Sequence, residues 1–186
     1  VTGVVRLTLV SHAMTDAMAA ARFPADEPLN DLGRRQAEAV AAQPSRDARP
    51  VAGPERRARQ TARLLGLTAT TEPRLADLDC GRWRGQALGD LNPEDLGRWL
   101  AEPARAPHGG ESIVDLIGRV AGWLGSLTEE GAGDASATVA VTHPAVIRAA
   151  ILLALDVPPK SFWRIDIAPV SSTVMHFRNG CWTLRL

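Results

Sequence analysis

The chain has 186 residues, enough for one domain with a proper hydrophobic core. Lys plus Arg and Asp plus Glu number 21 each, so the formal net charge is zero and neither a nucleic-acid footprint nor a tail for acidic membranes is expected. Cys80 and Cys181 lack metal-ligand spacing and read as free thiols, the apolar stretches fall far short of a membrane span, and the N-terminal VTGVVRLTLVSH lacks the cleavage pattern of an export signal, so the expectation is a soluble cytoplasmic protein.

In chain order, VVRLTLV (4–10) is rich in β-branched residues and ends sharply, which predicts a buried first strand. Residues 11–30 read as a loop. DLGRRQAEAVAAQ (31–43) is Ala-rich and predicts a helix stopped by Pro44. ARPVAG (48–53) is a short strand candidate, and Pro54 and Glu55 suit the first turn of a helix running to about Leu65. LTATTEP (67–73) is a further short strand candidate. Residues 80–110 are rich in glycine and proline and read as an insertion with one short helix around 93–101. From Glu111, the apolar residues Ile113, Leu116, Ile117, Val120, Trp123, Leu124 and Leu127 recur at threes and fours, one face of a long helix that GAGDAS ends. ATVAVTH (137–143) predicts a second strand ending in histidine, and Pro144 opens a helix through Leu155. Near the C-terminus, Asn179-Gly180 is the favoured pair for a two-residue hairpin turn. Strand and helix alternate, which predicts an α/β fold of three layers, α/β/α, with a mostly parallel sheet and a C-terminal antiparallel hairpin.

Two of these strands end in histidine. If both are central and parallel, His12 and His143 emerge at one sheet edge, where open α/β sheets bind ligands and helix N-termini favour anions. Arg57 lies in the first turn of its helix and reaches the same edge, and Asp77 precedes the insertion. Two imidazoles, a guanidinium and a carboxylate make a phosphoryl-transfer site: nucleophile, oxygen clamp and general acid.

Six segments in order resemble the histidine phosphatase superfamily, the phosphoglycerate-mutase-like proteins. They are the strand followed by SHAMT, then PLNDLGRRQAEAVA, AGPERRARQTARLL, RLADLDCGRWRG, GGES and VAVTHPAVIRA. The resemblance implies that His12 becomes a phosphohistidine. It implies that Arg57 holds the phosphoryl oxygens and His143 hydrogen-bonds them in the transition state. Asp77, where the family has glutamate, then protonates the leaving oxygen and later activates water. Asp79 is its rival for that role. Ser11, Thr15, Arg22, His108 and Glu111 are the expected substrate contacts. For His108 an exposed loop position competes, and for Glu111, with Ser112, a cap on the long helix competes. Trp83, Trp99 and Trp163 either pack the insertion or meet the substrate. His176 reads as structural. No metal or other cofactor is implied, and the partner is a small phosphorylated substrate, with no nucleic acid or membrane, on a monomer or homodimer.

The departures from the family pattern sit at the chemistry. Ser11 replaces the arginine that precedes the nucleophile, Ala13 and Met14 replace Gly and Glu, Met18 replaces an asparagine, Gly53 replaces a serine, and Arg84 replaces a glutamate. A hydroxyl can donate one hydrogen bond to phosphate but brings no charge and no bidentate fork. Arg22, Arg82, Arg84 and Arg148 are candidates to supply the missing cation. The main expectation is a metal-independent phosphomonoesterase with activity reduced or altered by Ser11. The alternatives are a non-catalytic phospholigand-binding protein on the same fold and, less favoured, a mutase.

Overall fold

A computed structural model describes residues 3–40, 47–130 and 136–186. Its frame is a six-stranded sheet: β1 (Val5–Ser11), β2 (Arg49–Ala52), β3 (Thr70–Thr71), β4 (Ser136–Thr142), β5 (Ser172–Arg178) and β6 (Cys181–Arg185). The order across the sheet is β3-β2-β4-β1-β5-β6. The first four are mutually parallel, and β5 and β6 close the other side as an antiparallel hairpin. Asn179 and Gly180 at its turn both have positive φ, as a type I′ turn demands. The fold is thus the expected α/β class.

The helices are α1 (Asp16–Ala19), α2 (Asp31–Val40), α3 (Arg56–Leu64), α4 (Pro93–Ala101), α5 (Ile113–Glu130) and α6 (Pro144–Leu155). The apolar stripe of α5 is buried as its spacing dictates, with only Ile117 partly exposed. Ser112 accepts from the Asp115 N–H at 3.0 Å and Asp115 accepts from the Ser112 N–H at 3.4 Å, a reciprocal cap that starts this helix. The main core joins β1, α5 and α6, with Leu7, Leu9, Leu116, Trp123, Ile147 and Met175 fully buried. Pro44, expected to stop α2, and all of GAGDAS except Ser136 lie outside the described residues.

Some boundaries differ from the sequence expectation. The strand expected over 67–73 shortens to Thr70–Thr71, both exposed at the sheet edge with only β2 to pair with. The 11–30 loop contains α1, too short to show a periodic face. Helix α3 begins at Arg56 rather than Pro54, and Glu55 is its extended N-cap residue with no side-chain capping bond. Its carboxylate is engaged elsewhere, as described below. The base of the insertion is stitched by Arg82 N–H to the His108 carbonyl at 2.9 Å and Glu111 N–H to the Asp79 carbonyl at 2.8 Å. A Cβ on Gly110 would lie 2.1 Å from the Asp79 oxygen, so only glycine allows this approach.

Candidate active site

The β1–β4 register builds the site. Ser11 pairs with Thr142, so the next residues on the two strands, His12 and His143, leave the sheet side by side. Their ring centroids are 5.1 Å apart, in an edge-to-face arrangement. Both are buried. His12 Nδ1 lies 2.8 Å from the Ala13 carbonyl oxygen. An oxygen there accepts only, so Nδ1 carries the proton and Nε2 keeps its lone pair. Burial, followed by the neighbouring His143 and Arg57, lowers the His12 pKa to about 3, against the opposing pull of the Ala13 carbonyl and Asp77. The imidazole is therefore a neutral nucleophile throughout the physiological range.

Arg57 is buried on the first turn of α3 and donates to Asp77 Oδ2 at 2.6 Å. Its other terminal nitrogen, Nη1, is buried without a hydrogen-bond partner, and so is His143 Nδ1, which lies 3.6 Å from Asp77 Oδ2. The spare Arg57 donor is costly unless a ligand takes it, whereas His143, whose Nε2–H goes to the Glu55 carboxylate, can donate from Nδ1 only when the ring carries both protons. Asp77 itself is held below the ordinary carboxylate range: burial pushes its pKa up, but His143, Arg57 and His12 together outweigh burial. A carboxyl that donates near neutral pH must be held protonated, by burial or by a neighbouring negative phosphate. Burial alone does not achieve this in the free protein, which leaves the phosphate.

One residue of the site was not singled out from sequence. Glu55 Oε2 lies 2.7 Å from His143 Nε2, and Glu55 Oε1 accepts from the Asp77 N–H at 2.9 Å. A single carboxylate thus fixes both the second histidine and the backbone of the acid. Burial pushes the Glu55 pKa up, yet the bond to His143 and its charge win and hold it below its usual value. Gly53 makes this possible: a Cβ there would lie 2.7 Å from the Leu75 oxygen and 3.2 Å from His143 Nε2. The available signal was position, since Glu55 follows the end of β2 at the same sheet edge. A carboxylate just before a helix also satisfies the local preference for acids at a helix N-terminus, which masks the long-range role.

A cavity of about 210 Å³ opens on His12, Arg57 and Asp77. Two of the four candidate cations line it, Arg22 and Arg148. Neither bonds to Ser11: Arg22 donates to the Gly85 carbonyl at 3.3 Å, and Arg148 Nε donates to the Ile165 carbonyl at 2.7 Å. Ser11 is fully buried and its Oγ has no hydrogen-bond partner. Arg84 lines an adjoining cavity of about 230 Å³, whereas Arg82 is turned away to the Pro107 carbonyl at 2.8 Å. Asp79 accepts from the Gly81 N–H at 2.9 Å and lines the adjoining cavity rather than the one that opens on His12.

Three expected substrate contacts are placed elsewhere. Thr15 is fully buried and caps α1, its Oγ1 accepting from the Met18 N–H at 3.2 Å. His108 is buried between Trp83 and Trp99, with centroids 5.1 and 4.6 Å away, because three aromatic faces fill the interior of the insertion. Glu111 is paired with Arg119 at 2.9 Å, where it ties the insertion to α5.

The family model described as histidine phosphatase superfamily (branch 1) matches residues 7–186. The chain belongs to this superfamily. It is 29% identical to phosphoserine phosphatase 1 of Hydrogenobacter thermophilus, covering 92% of this chain and 86% of that one. It is 30% identical to a bifunctional protein of Mycobacterium tuberculosis, over 97% of this chain but only 53% of the relative, so it spans about half of that protein's length. The solved mycobacterial glucosyl-3-phosphoglycerate phosphatase in complex with VO3 superposes with a TM-score of 0.82 at 28% identity, covering 97% of each chain. No helix among the described residues is long and apolar enough to cross a membrane.

Proposed function

We propose that this histidine phosphatase superfamily member is a metal-independent phosphomonoesterase that acts on a small phosphorylated metabolite through a phosphohistidine at His12. The observation that carries this reading is the state of His12: neutral, with its tautomer fixed by Ala13, beside a buried Arg57 that has a donor to spare. In the first half-reaction Nε2 of His12 attacks phosphorus. The P–N bond forms, the P–O bond to the leaving alcohol breaks, and Asp77 gives its proton to the departing oxygen. In the second, Asp77 takes a proton from water, the water oxygen attacks phosphorus, and the P–N bond breaks to release inorganic phosphate and neutral His12. The free Nη1 of Arg57 is the donor available to the phosphoryl oxygens, and Nδ1 of His143 joins it when the ring carries a second proton beside the Glu55 carboxylate. Asp77 gains its proton with the substrate, whose negative charge opposes the cations that hold the carboxylate ionised.

Glu55 acts here as a positioning residue through its bonds to His143 and to the Asp77 backbone. A mutase must keep its phosphoenzyme from water, and a site without the preceding arginine is poorly equipped for that. The buried Ser11, which brings no charge, favours one second reading: a protein that binds a phospholigand without turning it over. Hydrolysis of p-nitrophenyl phosphate by the wild type and His12→Ala separates the two. The expected result is measurable turnover that falls about 10³-fold or more in the variant. Equal rates in both would contradict the assignment of His12, and phosphate binding without turnover would support the second reading.

A further inference from the structure

A second concavity, of about 510 Å³, adjoins the phosphate cavity and shares four wall residues with it: Met18, Arg22, Phe23 and Pro24. Beyond that junction its walls are apolar. Leu96, Trp99 and Leu100 come from α4, and Trp163 from the short helical turn after α6. Arg22 is the only charged residue among the described residues of the lining. Leu100 and Trp163 keep 51% and 39% of their surface exposed, so apolar surface faces solvent along the groove. The floor is rigid. Trp99 packs edge-on against His108 and, at 6.1 Å, against Trp163, so the groove is formed before any ligand arrives. Arg148, which lines the phosphate cavity, stacks on Trp163 at 5.7 Å and joins the two walls.

We infer that this groove is the subsite for the leaving group, and that the preferred substrates are phosphomonoesters of apolar alcohols or phenols. The inference rests on the phosphatase reading, because it places the ester's phosphoryl group against His12. Adjacency argues for the occupant: with Met18, Arg22, Phe23 and Pro24 common to both linings, the apolar groove is the concavity beside the phosphoryl group, where a body attached to it extends. A phosphorylated amino or hydroxy acid would bring a carboxylate to walls whose one described cation, Arg22, also lines the phosphate cavity and already donates to the Gly85 carbonyl. Volume agrees, since 510 Å³ is in the range of small-molecule sites and is much more than a short polar chain fills.

The test uses calorimetric titration of His12→Asn, which cannot form the phosphoenzyme, with 1-naphthyl phosphate, methyl phosphate and inorganic phosphate. The naphthyl ester is expected to bind about tenfold or more tightly than the methyl ester and to be displaced by inorganic phosphate. Leu100→Glu, at an exposed position of α4, is expected to abolish that preference. The same ratio, read as kcat/KM in the wild type, serves if His12→Asn does not fold. Equal affinities, or naphthyl binding that phosphate does not displace, would overturn the inference. So would sedimentation showing the groove covered in a dimer of this chain. A wild type that hydrolyses neither ester while the binding preference persists would sink the phosphatase reading and leave the apolar subsite standing. Hydrolysis of both with no preference would do the reverse.

Discussion

At the scale of single residues, the hydroxyl of Ser11 and the carboxylate of Glu55 carry the sharpest tests. A buried hydroxyl without a partner is a cost to the free protein, and removing it is neutral or favourable for stability. Ser11→Ala is therefore expected to leave the melting temperature equal or higher. If the hydroxyl waits for a phosphoryl oxygen, the same change weakens competitive inhibition by inorganic phosphate by about tenfold or more, the value of a hydrogen bond to a charged group. A lower melting temperature with unchanged phosphate affinity would make Ser11 structural instead. Glu55→Gln keeps the size of the side chain and removes its charge. With His143 and the Asp77 backbone less firmly held, kcat is expected to fall between about tenfold and a hundredfold while KM and melting temperature change little. A loss confined to melting temperature would show that Glu55 serves the fold alone.

At the scale of elements, the site follows from one register. Parallel pairing of Ser11 with Thr142 places two histidines together, although 130 residues of chain separate them. Each strand was legible in the sequence, because apolar β-branched runs that end abruptly in a polar residue have few other uses. Their adjacency was not legible from the strands themselves, since pairing depends on which faces the helices cover; the family resemblance supplied it. The long helix α5 was equally plain, whereas α1 and the two-residue β3 are too short to carry a period. The Glu55–His143 pair also escaped, because a carboxylate after proline satisfies a local rule, and the long-range bond that overrides the rule leaves no local trace. Gly53 is the element-level device that admits this pair at the end of β2. Gly53→Ala is expected to cost about 1–3 kcal/mol of stability, as overpacking does, and to lower activity by displacing His143. A variant as stable and active as the wild type would refute the close approach.

At the scale of the whole molecule, the buried site sets the response to pH. The unfolded chain protonates His12 near its ordinary 6.5, whereas the folded protein resists until about 3. Between those values the unfolded state binds the extra proton, so stability is full above about pH 6.5 and declines as pH falls. Glu55 and Asp77, both held below their ordinary values, have the same sign and add to the loss at lower pH. Thermal melts from pH 8 to pH 4 are expected to show a falling midpoint, and His12→Asn to flatten the upper part of that fall. A midpoint that rises on acidification would contradict the neutral, buried His12. Catalysis is expected to run the opposite way over part of this range. The nucleophile stays neutral down to about pH 3, and acid supplies the proton that Asp77 must donate, so kcat/KM is expected to be greater near pH 5 than near pH 8.

The legible and the hidden parts of the site meet at His12, which the sequence placed after the first strand and the structure supplies with a fixed tautomer. The most direct measurement is therefore a rapid alkaline quench of the enzyme mixed with a ³²P-labelled phosphomonoester, followed by peptide mapping. The account predicts acid-labile, alkali-stable label on the peptide that contains His12, formed within one turnover and absent from His12→Asn. Turnover with no label on that peptide, or label on another residue, would contradict it.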